Sequence, residues 1–247
     1  MSGSPGTAGL HSGDDAGSAA HDRGAMTRNT SAYDRLRNLP AYFRGGEAGL
    51  RFGWSSKTTS QYLYNWQGRG YIQRFGGHSD VYANLIVNPA PNHDIMLRLA
   101  MPSAIIIGVD ALRRAGWTTQ VQWAPDVAVS RSVRIYLADR FNIMPFPAAW
   151  FRQNAEFTVR PARTTGRQTN PLAGLWAGPL VLEPEFALAE MLGRHNGWAG
   201  TGLDPDDIDW PGEPFEGDRW REAMRHFDLA EDTVRQWAGH RAMVPAP

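Results

Sequence analysis

Hydrophobic positions fall into a helical rhythm three times in the first third of the chain. Residues 31–39 place Tyr33, Leu36 and Leu39 three apart ahead of Pro40, with Ser31 in position to cap a helix. Residues 46–52 offer Ala48, Leu50 and Phe52 to a core, and Gly53-Trp54 then turns the chain. Ser55 caps a third helix running to about Gln67, closed by Gly68 and Gly70. In this helix Thr59, Tyr62, Leu63 and Trp66 follow the i, i+3, i+4, i+7 spacing of a buried stripe. The centre of the stripe lies nearly opposite Lys57, Ser60, Gln61 and Tyr64, which repeat the same spacing. Residues 71–75 and 81–85 read as two short strands around a turn at 76–80. Three short helices followed by a β-hairpin is the order of a winged helix-turn-helix.

The pattern changes after Asn88-Pro89-Ala90-Pro91, a linker or crossover. A helix is expected at 94–101, stopped by Pro102, then a short strand at 103–107 and a helix at 109–115 closed by Gly116. Thr119, Val121 and Trp123 alternate with polar residues, as do Val133, Ile135 and Leu137, and both runs read as strands, with another at 157–160. Pro184 opens a helix through Leu192 that buries Ala187, Leu188, Met191 and Leu192, and further helices are expected at 218–227 and 230–237. The expected fold class is α+β. Residues 1–29 form a disordered tail too poor in large apolar side chains to offset its ordering entropy, 30–88 a winged helix-turn-helix, and 92–240 an α+β domain. Met26 is a second candidate start.

Composition narrows the chemistry. The 247 residues contain no cysteine, which excludes a disulfide framework, a thiolate zinc site and a cysteine nucleophile. No apolar run approaches the ~20 residues of a membrane span, and the N-terminus lacks a secretory apolar segment, so a cytoplasmic protein without a membrane partner is expected. The 25 basic and 25 acidic residues cancel, but unevenly: the chain is net positive up to residue 168 and net negative beyond it. Lys57 is the only lysine, and no Gly-Lys-Ser/Thr tripeptide is present for a P-loop.

Catalytic arrangements are absent from the sequence. His93, His195, His226 and His240 fall into no metal-binding spacing, and Gly-x-Ser-x-Gly does not occur. Asp204, Asp206, Asp207 and Asp209 lack the glycine and closing glutamate of an EF-hand loop, and Asp204 before Pro205 more simply caps a helical turn. Asp126 and Glu156 are a possible carboxylate pair that nothing in the sequence brings together. The tryptophans at 117, 123, 150, 176, 198, 210, 220 and 237 read as core or interaction-surface residues. Neither enzyme activity nor a cofactor is expected.

The stretch from Ser55 to Gln73 holds no carboxylate, whereas an ordinary solvated helix face mixes in Glu or Asp. That absence suits a surface that approaches phosphates. Candidate contacts to double-stranded DNA are Ser55, Ser56, Lys57, Thr58, Ser60, Gln61, Tyr64 and Asn65. Gln61 has the chemistry to bond an adenine edge, and Lys57 to reach guanine or a phosphate. Arg44 and Arg51 flank the second helix as phosphate clamps, Arg74 stands beside the hairpin tip, and His78 is at the tip. The alternative is a helical surface packed on another domain.

Phe43-Arg44-Gly45-Gly46-Glu47, Ser55-Ser56-Lys57-Thr58-Thr59 and Gly68-Arg69-Gly70-Tyr71-Ile72 follow one another in this order. Pro102-Ser103-Ala104-Ile105, Ala111-Leu112, Gly116-Trp117 and Leu182-Glu183-Pro184-Glu185-Phe186-Ala187-Leu188 come later. In that order the chain, over roughly residues 31–210, resembles the AbiEi family of antitoxins from type IV toxin–antitoxin operons. The resemblance implies an N-terminal winged helix that represses the operon at operator repeats. It also implies a C-terminal domain that counteracts a nucleotidyltransferase-like toxin. Ser56, Lys57, Thr58, Ser60, Gln61 and Tyr64 would then be the readers. The acidic, tryptophan-rich segment beyond Asp204 departs from the resemblance. Two other readings stay open: a nuclease or DNA-modifying enzyme targeted by the winged helix, which needs clustered carboxylates and a metal, and a scaffold whose winged helix binds protein.

Overall fold

The computed structural model describes residues 31–136, 138–159, 178–209 and 217–229. Ser31 caps α1 (Ala32–Arg37), its hydroxyl accepting from the Asp34 N–H at 3.1 Å. There follow β1 (Tyr42–Arg44), α2 (Gly45–Phe52), α3 (Ser56–Gly68), β2 (Ile72–Arg74) and β3 (Val81–Asn84). The three strands form an antiparallel sheet in the order β1-β3-β2. Leu36, Leu39, Phe43, Ala48, Leu63, Trp66, Ile72 and Tyr82 form a small core beneath the helices. Buried Asn84 ties the end of α1 to β3, its amide donating to the Leu36 and Leu39 carbonyls at 2.7 and 3.3 Å.

Two residues expected in this core lie outside it. Leu50 is 86% exposed. Ala48 and Leu50 are two positions apart, about 200° around a helix, so one core cannot receive both. Phe52, four residues beyond Ala48, does pack against the core. Tyr33 is half exposed at the start of the six-residue α1, where the Arg37 guanidinium lies 5.2 Å over its ring.

The second unit contains α4 (His93–Ala100), β4 (Ile105–Ile106), α5 (Gly108–Arg114), β5 (Asp126–Ser130), β6 (Asn142–Phe146) and α6 (Ala148–Asn154). It continues with β7 (Thr158–Val159), β8 (Leu180–Leu182), α7 (Pro184–His195) and α8 (Asp218–His226). Its five-stranded mixed sheet has the order β6-β5-β4-β8-β7. The β5–β6 and β4–β8 pairs are parallel, and the β4–β5 and β7–β8 pairs antiparallel. The expected burial of Ala187, Leu188, Met191 and Leu192 on α7 is observed. With eight helices and two sheets among the described residues, the fold is mixed α and β, consistent with the α+β class. None of these helices is long and apolar enough to cross a membrane.

The alternating runs form no strand at 119–123 or over the described residues 133–136, and Trp123 is 97% exposed. The strand lies between them. All five positions of β5 are buried, so it carries no alternation to read. The expected tail at 1–29, the helix at 230–237, Leu137 and Arg160 lie outside the described residues.

The two units are joined by more than the 88–91 stretch. Tyr42, Phe75, Val81 and Ala83 belong to the larger core, together with Met96, Leu97 and Phe141. The Phe75 and Phe141 rings are 6.0 Å apart, and the Tyr42 hydroxyl accepts from the Asn92 N–H at 2.7 Å. The outer side of the small sheet is therefore covered by the second unit, while α3 stays on the far side of the small core.

Candidate nucleic-acid interface

The roll of α3 is set by α2 and by an aromatic wedge. Gly53, at φ +64°, reverses the chain between the two helices, a left-handed conformation suited to glycine. Gly45 and Gly49 lie one turn apart on α2 and give α3 its close approach. A β-carbon on Gly45 would stand 3.0 Å from Leu63 Cδ1, and one on Gly49 would stand 2.7 Å from Thr59 Oγ1. Thr59 turns inward because its hydroxyl donates to the Ser55 carbonyl at 2.9 Å. Beside it, Trp54 stacks on Tyr62 at 4.1 Å and 15°, and the Arg35 guanidinium caps both rings at 5.5 and 5.0 Å.

The opposite face is open. Ser55 caps the helix, accepting from the Thr58 N–H at 3.2 Å and hydrogen-bonding the Thr58 hydroxyl at 2.9 Å. Ser55, Ser56, Lys57, Thr58, Ser60, Gln61, Tyr64 and Asn65 are all exposed, Tyr64 by 76%. Gln61 Nε2 donates to Asn65 Oδ1 at 3.2 Å, so the two amides are held together along the face. Lys57, Thr58, Gln61 and Asn65 line a shallow groove against Tyr62. The first turn of α3 carries no acid, whereas those of α1, α2, α4, α5, α7 and α8 each carry one. Lys57 therefore adds to the positive end of the helix dipole, with no carboxylate in that turn to offset it.

The expected contacts from the neighbouring elements are placed differently. The Arg44 guanidinium pairs with Asp80 at 2.9 Å and donates to the Leu99 carbonyl. Arg74 donates to the Tyr82 hydroxyl and, at 2.9 Å, to the Gly77 carbonyl. Both arginines thus have partners within the fold: Arg44 links the small sheet to α4, and Arg74 braces the hairpin. Arg51, in the last turn of α2, and His78, at the hairpin tip, are exposed.

Two of the acidic candidates of the second unit, Asp204 and Asp126, have structural roles. Asp204 caps the turn Pro205–Asp207, accepting from the Asp206 N–H at 3.1 Å. Asp126 accepts from Asn142 at 2.7 Å and pairs with Arg194 at 3.3 Å, and Glu156 is exposed. Arg194 also holds buried Glu190 at 3.0 Å; burial pushes that carboxyl up from its ordinary range, against the pull of Arg194. Among the described residues no group of three His, Asp or Glu side chains is arranged to hold a metal ion. The sequence reading missed Glu190 and the Gln73–His93 contact across the junction, 3.2 Å between side-chain nitrogens. Neither has a local sequence signal.

No protein-family model matches the chain, and no curated protein does. Among solved structures, it is similar to the RV2827C protein from Mycobacterium tuberculosis, with a TM-score of 0.46 at 16% identity. The match covers 83% of this chain and 78% of that one.

Proposed function

We propose that the chain is a cytoplasmic DNA-binding regulator in which residues 30–88 act as a winged helix-turn-helix. In this reading α3 enters the major groove, the β2–β3 hairpin is the wing, and no catalysis is involved. The observation that carries the reading is the outer face of α3, exposed along its length and free of acid while its other face is buried. A lysine in a first helical turn opposes the helix dipole by roughly 0.3–1 kcal/mol, a penalty that a phosphate at that end reverses. Lys57 then reaches a phosphate or guanine, Gln61 presents its amide to an adenine edge, and Ser55, Ser56, Thr58 and Ser60 offer hydroxyls to the backbone. Arg51 is the remaining clamp on α2.

The order of motifs shared with the AbiEi family supports the second part of the proposal. The protein represses its own operon at operator repeats, and residues 92–240 counteract a nucleotidyltransferase-like toxin. The test is a mobility shift of the full chain on the DNA upstream of its own coding sequence. The expected complex weakens steeply as salt rises, and Gln61→Ala relaxes base preference at one position of the selected sites. An unaltered site preference in that variant would remove α3 from the groove.

A further inference from the structure

The junction between the two units holds a polar cleft of about 310 Å³ to which the DNA reading assigns no ligand. It is lined by Gln67 at the end of α3, by Gln73 and Arg74 of the hairpin, by His93 at the start of α4 and by Arg140 on the turn before β6. Arg140 is exposed and makes no hydrogen bond or ion pair among the described residues. Among the described residues Arg74 is hydrogen-bonded to neutral acceptors, the Tyr82 hydroxyl and the Gly77 carbonyl, and forms no ion pair with a carboxylate. Among the described residues Asp139 is the one carboxylate in the lining. Two guanidinium groups against one carboxylate leave the cleft positive, with two amides and an imidazole as further hydrogen-bonding groups.

We propose that this cleft binds a phosphoryl group, held between Arg140 and Arg74 and hydrogen-bonded by Gln67, Gln73 and His93. Two guanidinium groups lining one cleft suit an anion whose oxygens point in several directions, and the space admits a phosphate with its ester substituent. His93 fits this role. Burial and the nearby Arg140 charge hold its imidazole below the ordinary range, with Asp94 pulling the other way, and an anion in the cleft would restore the proton. The phosphoryl group is either a backbone phosphodiester of bound DNA or part of a free phosphorylated ligand. The proposal does not depend on the DNA reading, because inorganic phosphate tests the cleft alone.

The test follows the His93 ring resonances of the full chain by NMR, assigned by their loss in His93→Gln. The protein is titrated with potassium phosphate and, at matched ionic strength, with potassium chloride. The expected result is a saturable shift and a raised His93 titration midpoint in phosphate only, with apparent affinity at least fivefold weaker in Arg140→Ala and largely kept in Arg140→Lys. A His93 response identical in the two salts, or undiminished in Arg140→Ala, overturns the proposal. The same variant identifies the source. Weaker binding of upstream DNA with a salt slope reduced by about one assigns the site to a backbone phosphate, and unchanged DNA binding assigns it to a free ligand.

Discussion

Thr59 occupies the space that a side chain on Gly49 would need: a β-carbon there would lie 2.7 Å from the Thr59 hydroxyl, itself bonded to the Ser55 carbonyl. The pair fixes both the distance between α2 and α3 and the roll of α3. Since a roll of about 100°, one residue's rotation, would exchange buried Thr59 and Leu63 for exposed Ser60 and Tyr64, the presented face depends on this contact.

Gly49→Ala should therefore destabilise the protein. Helix propensity favours alanine by about 1 kcal/mol, but overpacking at this distance costs roughly 1–3 kcal/mol and rotating Thr59 away loses its hydrogen bond. The expected net is a loss of about 1 kcal/mol, read as a lower Tm. Gly46→Ala, where nothing lies within 4 Å, should be neutral or stabilising. Thr59→Ala in the Gly49→Ala background should recover part of the loss; independent effects in the double-mutant cycle would refute the contact.

Asn84 should tolerate neither loss nor charge. Its amide serves two carbonyls at the end of α1 in a buried setting, and its oxygen accepts from the part-buried Ile86 N–H at 3.2 Å. Asn84→Ala leaves those groups unpaired at roughly 1–3 kcal/mol each at most. Asn84→Asp turns a carboxylate toward two carbonyls and should be at least as damaging. Chemical denaturation of the two variants measures this, and a change below 0.5 kcal/mol (roughly the scatter of surface substitutions) would contradict it.

Glu190 makes stability depend on pH. The folded state raises its pKa, chiefly by burial, and one carboxylate oxygen has no hydrogen-bond partner among the described residues. The folded protein then holds this proton to higher pH than the unfolded chain. Its contribution is complete below the ordinary carboxylate range and is lost as pH rises through the raised folded value. Glu190→Gln keeps the shape without the charge, so its Tm relative to the unmodified protein should be higher at pH 8 than at pH 5. A difference that is the same at both pH values would contradict the assignment.

Much of α3 was legible because its information is local. The Ser55 cap, the Thr59–Leu63–Trp66 stripe and the acid-free outer face all lie within one helix. β1 was not legible: three residues, Tyr42–Arg44, are a strand only because Val81–Ala83 lie beside them. Arg44 and Arg74 were read as DNA contacts without their internal partners, because Asp80, Leu99 and Tyr82 are brought to them by the fold and not by spacing. The junction cleft shares this origin, since Gln73, His93 and Arg140 meet only when the hairpin packs on the second unit.

The central claim is that duplex DNA lies against the outer face of α3, and Lys57, exposed at the N-terminal end of that helix, probes it most directly. The measurement is fluorescence anisotropy of labelled upstream DNA with the full chain and with Lys57→Ala, across a salt series. The account predicts binding weakened by roughly 1 kcal/mol or more, a five- to tenfold rise in Kd, with a shallower salt slope if the contact is a phosphate. Equal affinity and equal slope for the two proteins would contradict it.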